Sequence, residues 1–166
     1  MPPPVHIDPT TLDLSRVVAD REAIRRVNRH RFELELLDAV VLIDESQHLI
    51  VGYRDVRADE FWVRGHFPGQ PLFPGVLMCE AAAQLGSYYA VNQGVIDPVQ
   101  EFLGFGGLED VRFRGIVRPG DRLVLASKGV RLKRRQSVFN VQGFVGPTMV
   151  FHGDVIGVPL DRETGG

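Results

Sequence analysis

Cysteine is almost absent from this chain, and no apolar run reaches the length of a membrane helix. The single cysteine, Cys79, cannot form an internal disulfide or a Cys-rich zinc site, which favours a reducing compartment. The longest aliphatic runs, such as Ala39 to Ile43, fall far short of the roughly 20 residues that span a bilayer. The N-terminus also lacks the basic and apolar regions of a signal peptide. We therefore expect a cytoplasmic protein without membrane insertion.

An excess of positive charge is missing as well. The 166 residues carry 19 Lys and Arg against 21 Asp and Glu, a net charge of -2, whereas nucleic-acid binders are usually strongly basic. With 44% apolar and 24% charged residues, the composition is that of an ordinary globular protein with the length of one domain. We therefore expect no nucleic acid among the partners.

The order of strand-like and helical patterns predicts an α+β fold. Four of the eleven prolines fall within the first ten residues, so we interpret residues 1–13 as a flexible N-terminal arm. Residues 14–160 form a single predicted domain, and residues 161–166 a C-terminal tail. Within the domain we expect a short helix in 14–27, a hairpin of strands at 33–44 and 48–56, a central helix at 76–91 and four antiparallel strands after residue 100.

The centre of the chain is nearly free of charge. From residue 65 to residue 96 the only Asp, Glu, Lys or Arg is Glu80, and the stretch 76–91 is apolar nearly all round, which is typical of a buried helix. Glu80, Gln84 and Ser87 lie at positions i, i+4 and i+7 and form one narrow polar stripe. Because burial raises the pKa of a carboxyl group, we expect Glu80 to act as a general acid. The alternative is a Glu80 at an exposed helix edge with structural hydrogen bonds only.

A loop rich in proline and glycine, residues 65–75, precedes this helix and contains His66. Three prolines and three glycines in eleven positions favour a rigid, shaped loop, which can hold an imidazole in a fixed place. The alternative for a lone histidine such as His66 is a surface residue or a core residue with satisfied hydrogen bonds. Pro74 and Gly75 resemble a helix start, where free N–H groups favour a developing anion. Acid, base and anion site together predict proton abstraction next to a carbonyl and departure of a poor leaving group.

The motifs of this region resemble the active-site segment of beta-hydroxyacyl-acyl-carrier-protein dehydratases of hot-dog fold. They are His66-Phe67-Pro68-Gly69, Pro74-Gly75-Val76-Leu77, Glu80-Ala81 and Ala83-Gln84, with further likeness at His30-Arg31-Phe32 and Pro119-Gly120-Asp121. The resemblance covers residues 21–158. It implies a single hot-dog domain in which a curved antiparallel sheet wraps a long central helix, paired as a homodimer. Nothing in the sequence chooses between a dimer and a trimer of dimers.

The resemblance also implies roles for individual residues. His66 removes the proton alpha to the thioester carbonyl, and Glu80 of the opposite subunit, protonated or acting through water, assists loss of the beta-hydroxyl. The Gly75 N–H binds the thioester oxygen, the Leu72 carbonyl orients the imidazole, and Gln84 supports Glu80. No metal and no organic cofactor is expected, and no metal-ligand spacing connects the remaining histidines, His6, His30, His48 and His152.

Two further groups of residues are expected to contact the substrate and its carrier. Four aromatic residues are predicted to line an acyl tunnel: Phe67, Phe73, Phe105 and Phe113. A basic cluster is predicted to dock an acidic acyl carrier protein with its phosphopantetheine-linked acyl chain: Lys128, Arg131, Lys133, Arg134 and Arg135. An equally good interpretation of this cluster is a solvated hairpin that prevents aggregation at a sheet edge.

The function implied is dehydration of beta-hydroxyacyl-acyl-carrier-protein thioesters to trans-2-enoyl thioesters in fatty-acid biosynthesis, reversible as hydration. A glutamate rather than an aspartate at position 80 disfavours isomerisation of the double bond. Two alternatives stay open, a hot-dog thioesterase that uses Glu80 to activate water and a non-catalytic acyl-binding protein. Cys79, beside Glu80 in apolar surroundings, is predicted to be a protonated, inert packing residue.

Overall fold

The computed structural model describes residues 1–163 and contains one antiparallel sheet and two α-helices. The strands lie side by side in the order β1-β2-β3-β5-β6-β7-β4. In chain order the elements are β1 (Ala19–Asp20), α1 (Arg21–Val27), β2 (Ala39–Asp44), β3 (Leu49–Asp55), α2 (Gly75–Asn92), β4 (Glu101–Phe113), β5 (Arg122–Lys133), β6 (Gln136–Val145) and β7 (Thr148–Asp161). The predicted α+β order of hairpin, central helix and antiparallel strands is confirmed.

The long helix α2 packs against the sheet and forms the core with it. The helix extends one residue beyond each end of the predicted stretch 76–91. It begins after Pro74, whose backbone is extended, and Gly94, with a φ of 68°, lets the chain turn away after its end. Ala81, Leu85 and Tyr89 are fully buried. Gly52 of β3 allows this close packing, because a Cβ there would lie 3.0 Å from Leu85 Cδ1.

The segment between α1 and β2 departs from the predicted strand at 33–44. Its first residues form a 3-10 turn over Phe32–Leu34, with a φ of 58° at Phe32, so the strand begins only at Ala39. The helix expected within 14–27 is likewise shorter and covers its second half only, as α1. Hydrogen bonds to α2 hold this segment, as described below, and they replace the strand pairing that the apolar pattern predicted.

The N-terminal arm is docked on the sheet, in contrast to the flexible arm predicted for residues 1–13. The backbone N–H of His6 donates to Gln142 Oε1 (2.9 Å), and Gln142 Nε2 donates to the Pro4 carbonyl (2.8 Å). Ile7 and Leu12 pack on a second apolar cluster on the sheet. The proline-rich composition predicted a mobile arm. The residue that holds the arm, Gln142 of β6, lies more than 130 positions later in the chain, so no local pattern indicates the contact. At the other end β7 runs into the predicted tail as far as Asp161, and residues 164–166 lie outside the described part of the chain.

Strand β4 forms one edge of the sheet and pairs only with β7 among the described strands. It carries exposed apolar side chains at Phe105, Leu108 and Phe113, and Ile116 follows them. An exposed apolar sheet edge is a template for pairing with another chain. No helix within residues 1–163 is long and apolar enough to cross a membrane.

Candidate active site

A cavity of about 490 Å³ lies between α2 and the strands β4 and β7. The polar stripe predicted on the central helix faces it, because Glu80, Gln84 and Ser87 all line the cavity. Much of the remaining wall is apolar and includes Phe102 and Phe105 of β4. The cavity therefore combines an apolar space for a hydrocarbon chain with the carboxylate of Glu80, and Glu101 is a second carboxylate in its wall.

Two donors hold the carboxylate of Glu80 by the same oxygen. Oε1 accepts a hydrogen bond from Gln84 Nε2 (3.0 Å) and lies 3.1 Å from His30 Nε2. The side chain is 24% exposed. The hydrogen bond from His30, supported by that from Gln84, holds the pKa of Glu80 below its ordinary value, although burial by itself raises it. The net shift of the Glu80 pKa is thus downward and not upward as expected, because the hydrogen bonds from His30 and Gln84 outweigh desolvation.

Gln84 connects Glu80 with the segment that precedes β2. It is 2% exposed, and its Oε1 accepts from the Leu36 N–H (3.1 Å) while Nε2 also donates to the Leu34 carbonyl (2.7 Å). The main-chain carbonyl of Gln84 accepts a hydrogen bond from Asn28 Nδ2 (2.9 Å). Both N–H donors of the side-chain amide are used, so the expected support of Glu80 by Gln84 has a defined geometry.

His30 is the site residue that sequence reasoning missed. It entered only as part of a motif, yet the structure places its imidazole against Glu80, fifty positions later in the chain. His30 follows the short helix α1, and no periodicity relates it to α2. The only available signal is a lone histidine in the arginine-rich stretch 25–31, which is too common a pattern to identify a site.

His66 is oriented by its own loop. Nδ1 donates to the Leu72 carbonyl (2.7 Å), and the Leu72 N–H donates back to the His66 carbonyl (2.7 Å). Because a carbonyl only accepts, the proton of a neutral imidazole lies on Nδ1, and Nε2 carries the free lone pair. The ring of Phe67 stacks on the imidazole at 4.2 Å between centroids. His66 is not among the residues that line the cavity beside Glu80.

Gly75, the predicted anion-binding residue, is the first residue of α2. The first N–H groups of a helix have no intrahelical partner and attract negative charge. A Cβ on Gly75 would lie 2.8 Å from the ring of Phe113, so only glycine fits beneath this ring without a shift.

The four aromatic residues predicted to line a tunnel occupy three different environments. Phe105 lines the cavity. Phe67 and Phe113 are about half exposed, outside the cavity wall. Phe73 lies in the core, where its ring meets Trp62 edge-on at 5.4 Å and its N–H donates to the Val117 carbonyl (2.8 Å). The structure thus does not bring the four together within one chain.

The predicted basic cluster lies along the hairpin of β5 and β6. Arg131 donates to Gln136 Oε1 (3.0 Å), and Arg134 pairs with Glu101 (3.2 Å), a residue of the cavity wall. Of the predicted cluster, Arg134 is therefore the residue that the structure places against the cavity wall. Burial raises the pKa of Cys79 to about 11, which confirms the protonated thiol predicted there. Among residues 1–163, no three His, Cys, Asp or Glu side chains lie close enough together to hold a metal ion.

Known sequences place the chain among dehydratases. A family model described as a FabA-like domain matches residues 28–154. The 3-hydroxyacyl-acyl-carrier-protein dehydratase FabZ of Moorella thermoacetica is 36% identical over 141 residues, which cover 82% of this chain and 94% of that relative. Its counterpart in Sorangium cellulosum is 33% identical over 157 residues, covering 93% and 95%.

Solved structures share the fold at low sequence identity. The dehydratase heterocomplex ApeI:P from Xenorhabdus doucetiae is 14% identical, with a TM-score of 0.67 over 85% of this chain and 91% of that chain. A mutant thioesterase from Pseudomonas aeruginosa is also 14% identical, with a TM-score of 0.64 over 89% and 98%. At such low identity the likeness shows a common fold only. The activity has to be argued from the more similar sequences and from the site.

Proposed function

Because the chain belongs to the beta-hydroxyacyl-acyl-carrier-protein dehydratase family of hot-dog fold, we propose that it converts beta-hydroxyacyl-acyl-carrier-protein thioesters to trans-2-enoyl thioesters in fatty-acid biosynthesis. It is a hydro-lyase, and the same site hydrates enoyl thioesters in reverse. The assignment of roles depends on the state of two side chains. His66 has an imidazole with a free Nε2, and Glu80 has a carboxylate that is held in an apolar cavity.

In the proposed mechanism His66 is the base. The Leu72 carbonyl holds the proton on Nδ1, so Nε2 can accept the proton alpha to the thioester carbonyl. Negative charge then develops on the thioester oxygen, and the N–H of Gly75 at the start of α2 stabilises it. Loss of hydroxide from the beta carbon completes the double bond.

Glu80 assists this loss. Its lowered pKa keeps it ionised at neutral pH, which favours a carboxylate that orients the beta-hydroxyl, directly or through water, over a stored proton. The imidazolium of His66 then gives its proton to the departing hydroxide, directly or through the water that Glu80 orients, so that water leaves and His66 is neutral again. Gln84 keeps the carboxylate in place.

We propose that a homodimer is the active form and that each site uses His66 of one subunit and Glu80 of the other. The absence of His66 from the cavity wall of its own chain and the exposed apolar edge of β4 support this arrangement. Sedimentation distinguishes a dimer from a trimer of dimers. The presence of only one cysteine in the sequence supports the cytoplasm as the place of action.

Mixing two inactive variants tests the shared site. His66→Ala and Glu80→Gln should each fold and dimerise but lose turnover of a beta-hydroxyacyl-acyl-carrier-protein, measured by mass spectrometry. After subunit exchange in equal amounts, half of the dimers carry one intact site, so about a quarter of the wild-type activity should return. Full activity in either variant contradicts the proposed roles. Proven exchange without recovery contradicts the shared site.

The acyl chain is delivered by an acyl carrier protein, and we propose that the basic cluster on the β5–β6 hairpin docks it. The double variant Arg131→Glu/Arg135→Glu should lower kcat/KM for the carrier-linked substrate and leave a small pantetheine thioester unaffected. The double variant Arg16→Glu/Arg26→Glu, at two exposed arginines outside the cluster, changes the net charge equally and is the matched control. Equal losses with both substrates contradict docking, and unchanged kinetics favour the alternative of a solvated hairpin.

We propose that Phe105, Phe67 and Phe113 line the acyl tunnel of the dimer. Phe105 lines the cavity of its own chain, and the other two are exposed where a second subunit can cover them. Phe73 contacts Trp62 in the core, so we expect it to affect the preferred length of the acyl chain only through core packing. Activity profiles over acyl chains of increasing length for Phe105→Ala and Phe73→Leu test this division. A shifted chain-length optimum for Phe105→Ala supports it, and an unchanged optimum contradicts it.

A further inference from the structure

The contact between His30 and Glu80 carries an inference that rests on the proposed function and extends it. His30 Nε2 lies 3.1 Å from Glu80 Oε1, and both residues line the cavity. Gln84 donates to the same oxygen at 3.0 Å. Both donors therefore hold Oε1, and no hydrogen bond within residues 1–163 engages Oε2.

The main chain around His30 is held in place on both sides. Its neighbour Asn28, which is buried, donates to the Gln84 carbonyl of α2 (2.9 Å). On the other side, the guanidinium of Arg31 donates to the carbonyls of His30 (2.7 Å), Asn28 (2.9 Å) and Arg25 (3.1 Å). His30 is thus fixed between two anchored residues, one tied to α2 and one folded back on α1.

The two ring nitrogens of His30 have different surroundings. Nε2 faces the carboxylate, whereas Nδ1 is buried without a hydrogen-bond partner. A buried N–H without an acceptor costs more than a buried lone pair without a donor, so the neutral tautomer with its proton on Nε2 fits this site. In this form His30 donates to Glu80 and takes no proton from the reaction.

We propose that His30 is a positioning residue for dehydration, which fixes Oε1 of Glu80 and so reserves Oε2 for the substrate. The carboxylate then points in one direction in every turnover, and the beta-hydroxyl or its water meets one oxygen only. Misplacement of a catalytic group by about 1 Å can cost on the order of 100-fold in rate. A fixed carboxylate is therefore a substantial part of the catalytic power of such a site.

The charged groups around Glu80 are few, which makes its titration easy to follow. His30 faces it from the segment after α1, and its helical neighbour Gln84 is neutral. The other charged residues of the cavity wall are Arg29, Glu101 and Arg162. Because the hydrogen bond from His30 is the leading cause of the lowered pKa of Glu80, removal of His30 should raise that pKa.

The test compares His30→Ala, His30→Gln and the control His48→Ala on the forward reaction. His48 contacts Tyr89 (3.1 Å) outside the cavity wall. We expect His30→Ala to lower kcat about 10- to 100-fold, to change KM little, and to raise the pKa of Glu80, followed by NMR of its labelled carboxyl carbon. His30→Gln, which can still donate to Oε1, should recover a large part of kcat. His48→Ala should keep both kcat and the pKa of Glu80.

Several results overturn the inference. They are a kcat of His30→Ala within twofold of wild type, a lowered kcat with an unchanged pKa of Glu80, or equal losses in His30→Ala and His30→Gln. If His30→Ala fails to fold, His30→Leu takes its place with the same expected results, because leucine fills the position of the ring and cannot donate to Oε1. Failure of the proposed function is a separate result, because wild-type protein would then show no dehydration at all.

Discussion

Replacement of Gln84 by leucine tests the hydrogen-bond network behind the site. The change keeps the volume of the side chain and removes the donors and the acceptor that serve Glu80, Leu34 and Leu36. Leu36 is fully buried, so its N–H stays without a partner, which costs about 1–3 kcal/mol. The two other bonds add about 0.5–1.5 kcal/mol each, and burial of the leucine offsets about 1 kcal/mol.

We therefore expect Gln84→Leu to lower the free energy of unfolding by about 2 to 4 kcal/mol, measured by urea denaturation at matched protein concentration. Matched concentration is needed because association adds to apparent stability. Ser87→Ala, on the same polar stripe, is the control and should cost less than about 1 kcal/mol. A loss below about 1 kcal/mol in Gln84→Leu, or an equal loss in Ser87→Ala, would refute the network as described.

Four further predictions follow from single groups. Cys79 should not react with a thiol reagent at pH 8 in the native protein but should react fully in denaturant, because burial raises its pKa to about 11; rapid native labelling would contradict this. Gly52→Ala should destabilise the fold by about 1–3 kcal/mol in urea, since a Cβ would lie 2.7 Å from the Ala39 carbonyl oxygen; wild-type stability would contradict that contact. Deletion of residues 2–7 should lower the melting temperature and expose the sheet cluster to a hydrophobic dye, whereas an unchanged melting temperature would mean that the arm is not docked. Because the pKa of Glu80 is lowered, the ionised carboxylate stabilises the fold above pH 4.5, and this stabilisation is lost as the pH falls through the lowered pKa. The difference in the free energy of unfolding between wild type and Glu80→Gln should therefore shrink in acid. A difference that grows in acid would contradict the lowered pKa.

The fold was predictable because its strongest sequence signals are local. The stretch 76–91, in which Glu80 is the only charged residue, predicted the buried helix to within one residue at each end. The turns at Pro119–Gly120 and Gly146–Pro147 separate β4 from β5 and β6 from β7, as their composition indicates. The strand predicted at 33–44 was wrong over its first six residues, because tertiary hydrogen bonds from Gln84 replaced sheet pairing there.

The site was only partly predictable, because its geometry depends on contacts between distant residues. The polar stripe of α2 and the orienting contact between His66 and Leu72 follow from segments close in sequence. The direction of the pKa shift of Glu80 did not follow, because it depends on His30, which lies in another element. The docking of the arm depends in the same way on Gln142, a buried amide in the middle of a strand.

The most direct test of the dehydratase assignment is to give the purified protein an enoyl thioester on an acyl carrier protein and to follow absorbance and mass together. The account predicts loss of the enoyl absorbance with a mass gain of one water, and neither change with Glu80→Gln. Release of free thiol in place of hydration would contradict it and indicate a thioesterase. No change over several chain lengths would contradict it as well and indicate a protein that binds acyl chains without chemistry.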